Sequence, residues 1–235
     1  MEPFTFDFSP RLRAMLDSGY VSTQEGEEIP IGASASTRNN LQVIRNLILT
    51  LRPQRTLEVG LAYGASALTF LASLSEVSEA AFLHVAIDPF QSKLWKSTAL
   101  YTIAEEGLAD SFKHYEEESC TALPRLYHEN ARFDIIYIDG SHLFEDAFLD
   151  FYFAARLLNI GGIVLFDDCT DKHVHKVIRF IDANYAMILQ RYSVDDFIRK
   201  PLLKRTVNRL GYSQLVAYSK LAEPPRPWNT SMAGF

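Results

Sequence analysis

The feature that most constrains this chain is an alternation. Short apolar runs bounded by turn residues take turns with longer segments whose apolar positions recur every three to four residues. Residues 37–51 predict a helix through Leu41, Ile44, Leu47, Ile48 and Leu51, with Thr37 placed to cap it. Residues 55–59 then read as a strand ending at Gly60, and a helix resumes over 66–74. The same exchange continues through a strand at 82–87, a helix at 93–106, a strand at 112–116 and a helix at 121–127. A strand at 133–138, apolar except for Asp134, precedes an amphipathic helix over 143–158. Gly161 and Gly162 are expected to stop that helix and lead into a strand at 163–166. Asp171 can cap the next helix, whose Val174, Val177, Ile178 and Ile181 share a face. Strands at 187–194 and 214–219 follow without a helix between them, so they are expected to pair antiparallel through a connection at 204–212. Strand–helix–strand units demand right-handed parallel crossovers, so the chain is expected to build a doubly wound α/β domain. Its sheet would have seven mostly parallel strands and an antiparallel last strand.

Three segments are read along the chain: 1–36 as an N-terminal helical or lid segment, 37–222 as the α/β domain, and 223–235 as a proline-rich tail. The 235 residues are enough for one substantial core. No run approaches the roughly 18 apolar residues of a membrane span, and the N-terminus has no apolar leader, so a cytoplasmic, unprocessed protein is expected. Cys120 and Cys169 are too few for a disulfide framework and read as small core residues. A formal charge of −6, from 23 basic and 29 acidic side chains, opposes a nucleic-acid backbone. A small-molecule partner is the better expectation, with a homodimer left open.

In an open α/β sheet, ligands sit beyond the carboxyl ends of the strands, which directs attention to Glu58-Val-Gly60-Leu-Ala-Tyr63-Gly64-Ala-Ser66. Gly60 and Gly64 let backbone approach a ligand, and the following helix start offers unpaired N–H groups. Ser66 adds a hydroxyl, and Glu58 an acid that an amino group or a structural amide could pair. A tight strand-to-helix turn explains the glycines equally simply. A nicotinamide fingerprint would want glycine at 60 and 62 and glycine or alanine at 65, but position 62 is alanine. Asp88 closes the second strand, where a carboxylate can accept the hydroxyls of a ribose, or cap the next helix unless Ser92 does so.

Acids end both later central strands: Asp139 in YIDGSH, and Asp167 and Asp168 in LFDDCT. Adjacent parallel strands would bring them together, where they would repel unless a cation or protons neutralised them. Hard oxygen ligands suit Mg²⁺ or Ca²⁺. A turn-capping role accounts for any one of them alone. His142, three residues beyond Asp139, could take a proton from a substrate hydroxyl. His173 and His175 point in different directions and read as surface residues. Glu145, Asp146 and Asp150 read as a solvated helix face, with Phe144, Phe148 and Phe151 as its core face.

These residues resemble the class I S-adenosylmethionine-dependent methyltransferases, whose fold is Rossmann-like, and among them the small metal-dependent O-methyltransferases of the catechol and macrocin types. The resemblance runs from about Thr37 to Ser219. It implies that LEVGLAYGAS is the first cofactor motif, with Gly60, Tyr63, Gly64 and Ser66 around the methionine part and Glu58 near it. It further implies that Asp88 binds ribose, that Glu118 and Ser119 of EESCTALPRL lie beside adenine, and that Asp139 adjoins the cofactor. Asp139, Asp167 and Asp168 would hold a divalent cation, Mg²⁺ above all. Asp139 and His142 would be the catalytic pair. His142 stands where the catechol enzymes carry lysine, and Asp168 where they often carry asparagine. The function implied is methyl transfer from S-adenosylmethionine to a hydroxyl of a small molecule with cation assistance. A nicotinamide-dependent oxidoreductase and a non-catalytic S-adenosylmethionine-binding protein are the alternatives. The acceptor depends on regions without a motif: the N-terminal segment, the loop near Trp95, and residues 199–211 with Lys200, Lys204 and Arg205.

Overall fold

The computed structural model describes residues 5–197, 213–225, 229 and 231–235. Two compact units divide it, Met1–Glu118 and Ser119–Phe235. The basic residues at 200, 204 and 205 lie outside the described residues, as do the connection at 204–212 and part of the tail.

The first unit opens with helix α1 (Pro10–Ser18). The Ser9 hydroxyl accepts from Leu12 N–H at 3.2 Å, satisfying one of the orphan donors of the first turn. Gly19, at φ 76°, ends the helix in the left-handed conformation that glycine adopts without penalty. A hairpin of β1 (Tyr20–Ser22) and β2 (Glu28–Pro30) follows. Residues outside the α/β alternation thus form regular structure, and Phe6, Leu12, Met15, Val21 and Ile31 enter the unit's core. Helix α2 (Arg38–Leu51) is capped by Thr37 as expected, through Asn40 N–H.

Next come β3 (Arg55–Val59), α3 (Ala65–Val77), β4 (Leu83–Ile87), α4 (Thr98–Glu105) and β5 (Phe112–Tyr115). The strands are parallel, with β4 between β3 and β5. Most of α3 is buried, which explains why its small and apolar residues run all the way round it. Helix α4 begins five residues later than the sequence predicts. Lys96 and Ser97 are both left-handed, at φ 49° and 53°, and that bend interrupts helical hydrogen bonding before Thr98.

The second unit contains α5 (Ser119–His128), β6 (Phe133–Ile138), α6 (Phe144–Leu157), β7 (Leu158–Phe166), α7 (Lys172–Asn184), β8 (Leu189–Tyr192) and β9 (Val216–Lys220). Strands β6 and β7 are parallel, and β9 lies antiparallel between β7 and β8. Asp171 caps α7 by accepting from His173 N–H at 2.8 Å. The glycine pair plays a different part from the one expected. Helix α6 ends at Leu157, the chain turns extended at Leu158, and Gly161 and Gly162 lie inside β7. There the β6–β7 register shifts, and a Cβ on Gly162 would stand 2.7 Å from the Asp134 carbonyl oxygen.

All seven strands expected of the main sheet are present, three in the first unit and four in the second. The doubly wound, Rossmann-like α/β class with an antiparallel end is borne out. No helix among the described residues is long and apolar enough to cross a membrane.

Candidate functional site

In the first unit the candidate cofactor residues gather around the loop after β3. Gly60 and Gly64 have φ of 91° and 85°, so both need the left-handed region. Gly64 is also required sterically, because a Cβ there would meet Ala99 Cβ of α4 at 2.9 Å. As N-cap of α3 it contributes no side-chain oxygen to the helix's first N–H groups. Ser66 is buried at the start of α3, and Tyr63 packs edge-on against Trp95 with ring centroids 5.0 Å apart.

Asp88 is buried and ties this loop together. Its Oδ2 accepts from Leu61 N–H at 3.0 Å and Ala62 N–H at 2.8 Å, and its Oδ1 from Phe90 N–H at 2.8 Å. Ala62 is held at φ 44° by these bonds and by the Gln91 amide, which donates to the Ala62 carbonyl at 2.7 Å. Ser92 caps no helix. Both its N–H and its hydroxyl donate to Glu116, which holds that carboxyl below its ordinary range.

Glu58, on β3, is fully buried, and neither carboxylate oxygen receives a hydrogen bond. His84 Nε2 on β4 lies 3.4 Å from its Oε1. The other ring nitrogen of His84 meets Thr56 Oγ1 at 2.8 Å, and the ring stacks on Phe70. A buried acid without donors is costly, and a cation is what such a group lacks. Glu118 is exposed at the end of this unit.

In the second unit Asp139 follows β6 directly, and Asp167 and Asp168 follow β7, so the parallel pairing brings the three acids together as the sequence suggested. Tyr137, fully buried on β6, places its hydroxyl 2.5 Å from Asp167 Oδ2 and 3.0 Å from Asp139 Oδ2. Asp167 Oδ1 accepts from Asp168 N–H at 2.8 Å and Gln214 Nε2 at 3.3 Å, and Gln214 Nε2 also contacts Asp168 Oδ1. Asp168, left-handed at φ 50°, meets His142 Nε2 through Oδ2 at 2.7 Å. His142 itself is half exposed.

Ser119 begins α5, and its hydroxyl acts on Asp150 of α6. Asp150 is buried, not part of a solvated face. Burial pushes its carboxyl up to about 7, with Ser119 pulling the other way. Cys169 is the core residue expected, its thiol raised by burial, whereas Cys120 is exposed.

Sequence reasoning passed over Tyr137, Gln214, His84 and Gln91. Tyr137 carried a signal: two residues before Asp139 on a strand, it shares that acid's face. Gln214 carried none, standing 46 positions from its partner Asp168.

Residues 57–169 match the family described as methyltransferase domain. Among solved structures, the O-methyltransferase TomG of Streptomyces achromogenes, involved in tomaymycin synthesis and solved with SAM, superposes with a TM-score of 0.63. It is 20% identical, over 81% of this chain and 83% of that one. The O-methyltransferase of Bacillus cereus, solved with SAH, gives 0.60 at 16% identity over 81% and 84%. The SAH-bound methyltransferase PaMTH1 of Podospora anserina gives 0.62 at 15% identity over 94% and 99%. No curated protein matches by sequence. The match over residues 57–169 and the shared fold agree with the resemblance to class I S-adenosylmethionine-dependent methyltransferases read from the residues.

Proposed function

We propose that this protein methylates a hydroxyl group of a small molecule, with the glycine loop assigned to S-adenosylmethionine and His142 to the acceptor's proton. The observation that carries the cofactor half is Glu58, a fully buried acid with no hydrogen-bond donor, followed at once by the glycine loop. A cationic ligand suits such a carboxylate, and the α3 N-terminus, capped by no side chain, suits the anionic end of the same molecule. Gly60, Tyr63, Gly64 and Ser66 would hold the methionine part, with Glu118 and Ser119 assigned to adenine. Asp88 braces the loop through three backbone N–H groups and keeps little accepting capacity for a ribose.

When bound, S-adenosylmethionine supplies an activated methyl group. His142 is the group assigned to take the acceptor's proton. With Nε2 turned to Asp168, it has Nδ1 to receive that proton as the new carbon–oxygen bond forms and the methyl–sulfur bond breaks. Asp168 then faces an imidazolium it can stabilise. The second unit contributes orientation and charge placement, and the transfer needs no covalent enzyme intermediate.

The resemblance implies divalent-cation assistance, and the acids have suitable chemistry for it. Their arrangement does not fit a cation. Asp139 Oδ2, both oxygens of Asp167 and both of Asp168 already face a hydroxyl, an amide, a backbone N–H or an imidazole nitrogen. Among the described residues no group of histidine, cysteine or acidic side chains is disposed to hold a metal ion.

The test is release of S-adenosylhomocysteine over a panel of phenols, sugars and hydroxy acids. Turnover on at least one acceptor, lost on His142→Ala while cofactor binding persists, is expected. Binding of the cofactor with no turnover on any acceptor would favour a sensor.

A further inference from the structure

The three acids meet in a network that supplies its own donors. A single hydroxyl, that of the fully buried Tyr137, stands between Asp139 and Asp167 at 3.0 and 2.5 Å. A single amide, that of Gln214, spans Asp167 and Asp168. The backbone N–H of Asp168 adds a third donor to Asp167 at 2.8 Å. What remains of Asp168, its Oδ2, is aimed at His142. Carboxylates at this spacing repel, and protons or a cation must hold them together. A cation at these acids would have to share their oxygens with the donors already facing them.

We propose that hydrogen-bond donors of the chain itself, Tyr137, Gln214 and His142, organise Asp139, Asp167 and Asp168 in place of a divalent cation, and that Asp168 and Gln214 are positioning residues for His142. The arrangement resolves into a chain of contacts. Gln214 fixes one oxygen of Asp168, and the left-handed turn at Asp168 presents the other to the imidazole. That contact selects the tautomer with the proton on Nε2 and leaves Nδ1 as the accepting nitrogen. Asp167 anchors the far end through Tyr137, inside the core. His142 is half exposed, and its contact with Asp168 gives the ring a direction. In the transfer, the acceptor's proton would pass to Nδ1 as the oxygen takes the methyl group from sulfur.

This proposal rests on the assignment of His142 made above, and its test separates the two. The 235-residue protein without cofactor or acceptor is titrated with Mn²⁺, followed by the paramagnetic signal of the free ion. Separately, the ring nitrogens of His142 are read by ¹⁵N magnetic resonance. Unchanged free Mn²⁺ at equimolar protein, and an Nε2–H tautomer of His142 that is lost in Asp168→Asn, are expected. In turnover, Asp168→Asn and Gln214→Leu should lower kcat by roughly tenfold to a hundredfold while KM for S-adenosylmethionine stays put, and chelator should leave the wild type unaffected. Uptake of Mn²⁺ by the wild type that Asp139→Asn or Asp168→Asn abolishes overturns the proposal. So does a His142 ring signal indifferent to Asp168→Asn. The metal titration uses wild-type protein and therefore decides even where a variant fails to fold. Failure to bind S-adenosylhomocysteine would remove the methyl-transfer reading and leave these two readouts standing.

Discussion

Replacing Glu58 by glutamine separates stability from binding at one position. Glu58 has no exposed surface, neither oxygen accepts a hydrogen bond among the described residues, and His84 Nε2 lies 3.4 Å from it. An uncompensated buried charge costs several kcal/mol even after relaxation, whereas a buried neutral amide lacking a partner costs about 1–3 kcal/mol. Glu58→Gln keeps the shape and removes the charge, so the ligand-free protein should gain on the order of 2 kcal/mol. For a chain of this length each kcal/mol moves the midpoint by roughly 2–4 °C, so thermal unfolding should shift upward by roughly 4–8 °C. The same change withdraws the partner proposed for the cofactor's cationic group. Calorimetric affinity for S-adenosylhomocysteine should therefore fall, by roughly tenfold for each 1.4 kcal/mol lost. A more stable, weaker-binding variant is the signature. A less stable variant would refute the reasoning, because it would mean that His84 and Glu58 already form a complete ion pair.

Three further changes report on local physics. Ala62→Gly relieves a left-handed alanine clamped by Asp88 and Gln91 and should stabilise the protein by roughly 0.5–1 kcal/mol in urea unfolding. A loss of that size would contradict the strain. Asp150 has a folded-state value near 7 against an ordinary 3.8, so between about pH 4 and 7 the native protein binds a proton the unfolded chain has shed, and stability falls as pH rises through that window. Asp150→Asn should flatten that part of the profile and be the more stable form at pH 8 by roughly 2 kcal/mol. Equal slopes for both proteins would discount the burial. A thiol reagent should modify Cys120 alone in the native protein and both cysteines after denaturation, since Cys169 is buried with a raised thiol.

The sequence was most legible where one physical signal dominated. Strands β3 and β6 begin and end on the residues their apolar runs and flanking turns predict, and the caps at Thr37 and Asp171 lie where short polar side chains precede amphipathic periods. It misled where two signals coincide. Gly161 and Gly162 look like a helix stop, yet α6 ends before them and a β7 irregularity uses them, because the close approach of the Asp134 carbonyl is a tertiary demand. Lys96 and Ser97 carry no residue-type warning of the left-handed bend that delays α4. Asp150 sits among acids and aromatics, and only packing decides that it faces inward. The gathering of Asp139, Asp167 and Asp168 followed from strand order alone. What neutralises them did not, since Gln214 reaches them from a distant part of the chain and Tyr137 looks like ordinary core until its hydroxyl is placed.

The claim on which the rest depends is that this chain takes up S-adenosylmethionine through the loop between Glu58 and Ser66. Isothermal titration of the 235-residue protein with S-adenosylhomocysteine measures it most directly, with NAD as the control ligand. Saturable binding of one molecule per chain, weakened in Glu58→Gln and absent for NAD, is the predicted result. Heat from NAD with none from S-adenosylhomocysteine would contradict the account and return the glycine loop to a dinucleotide.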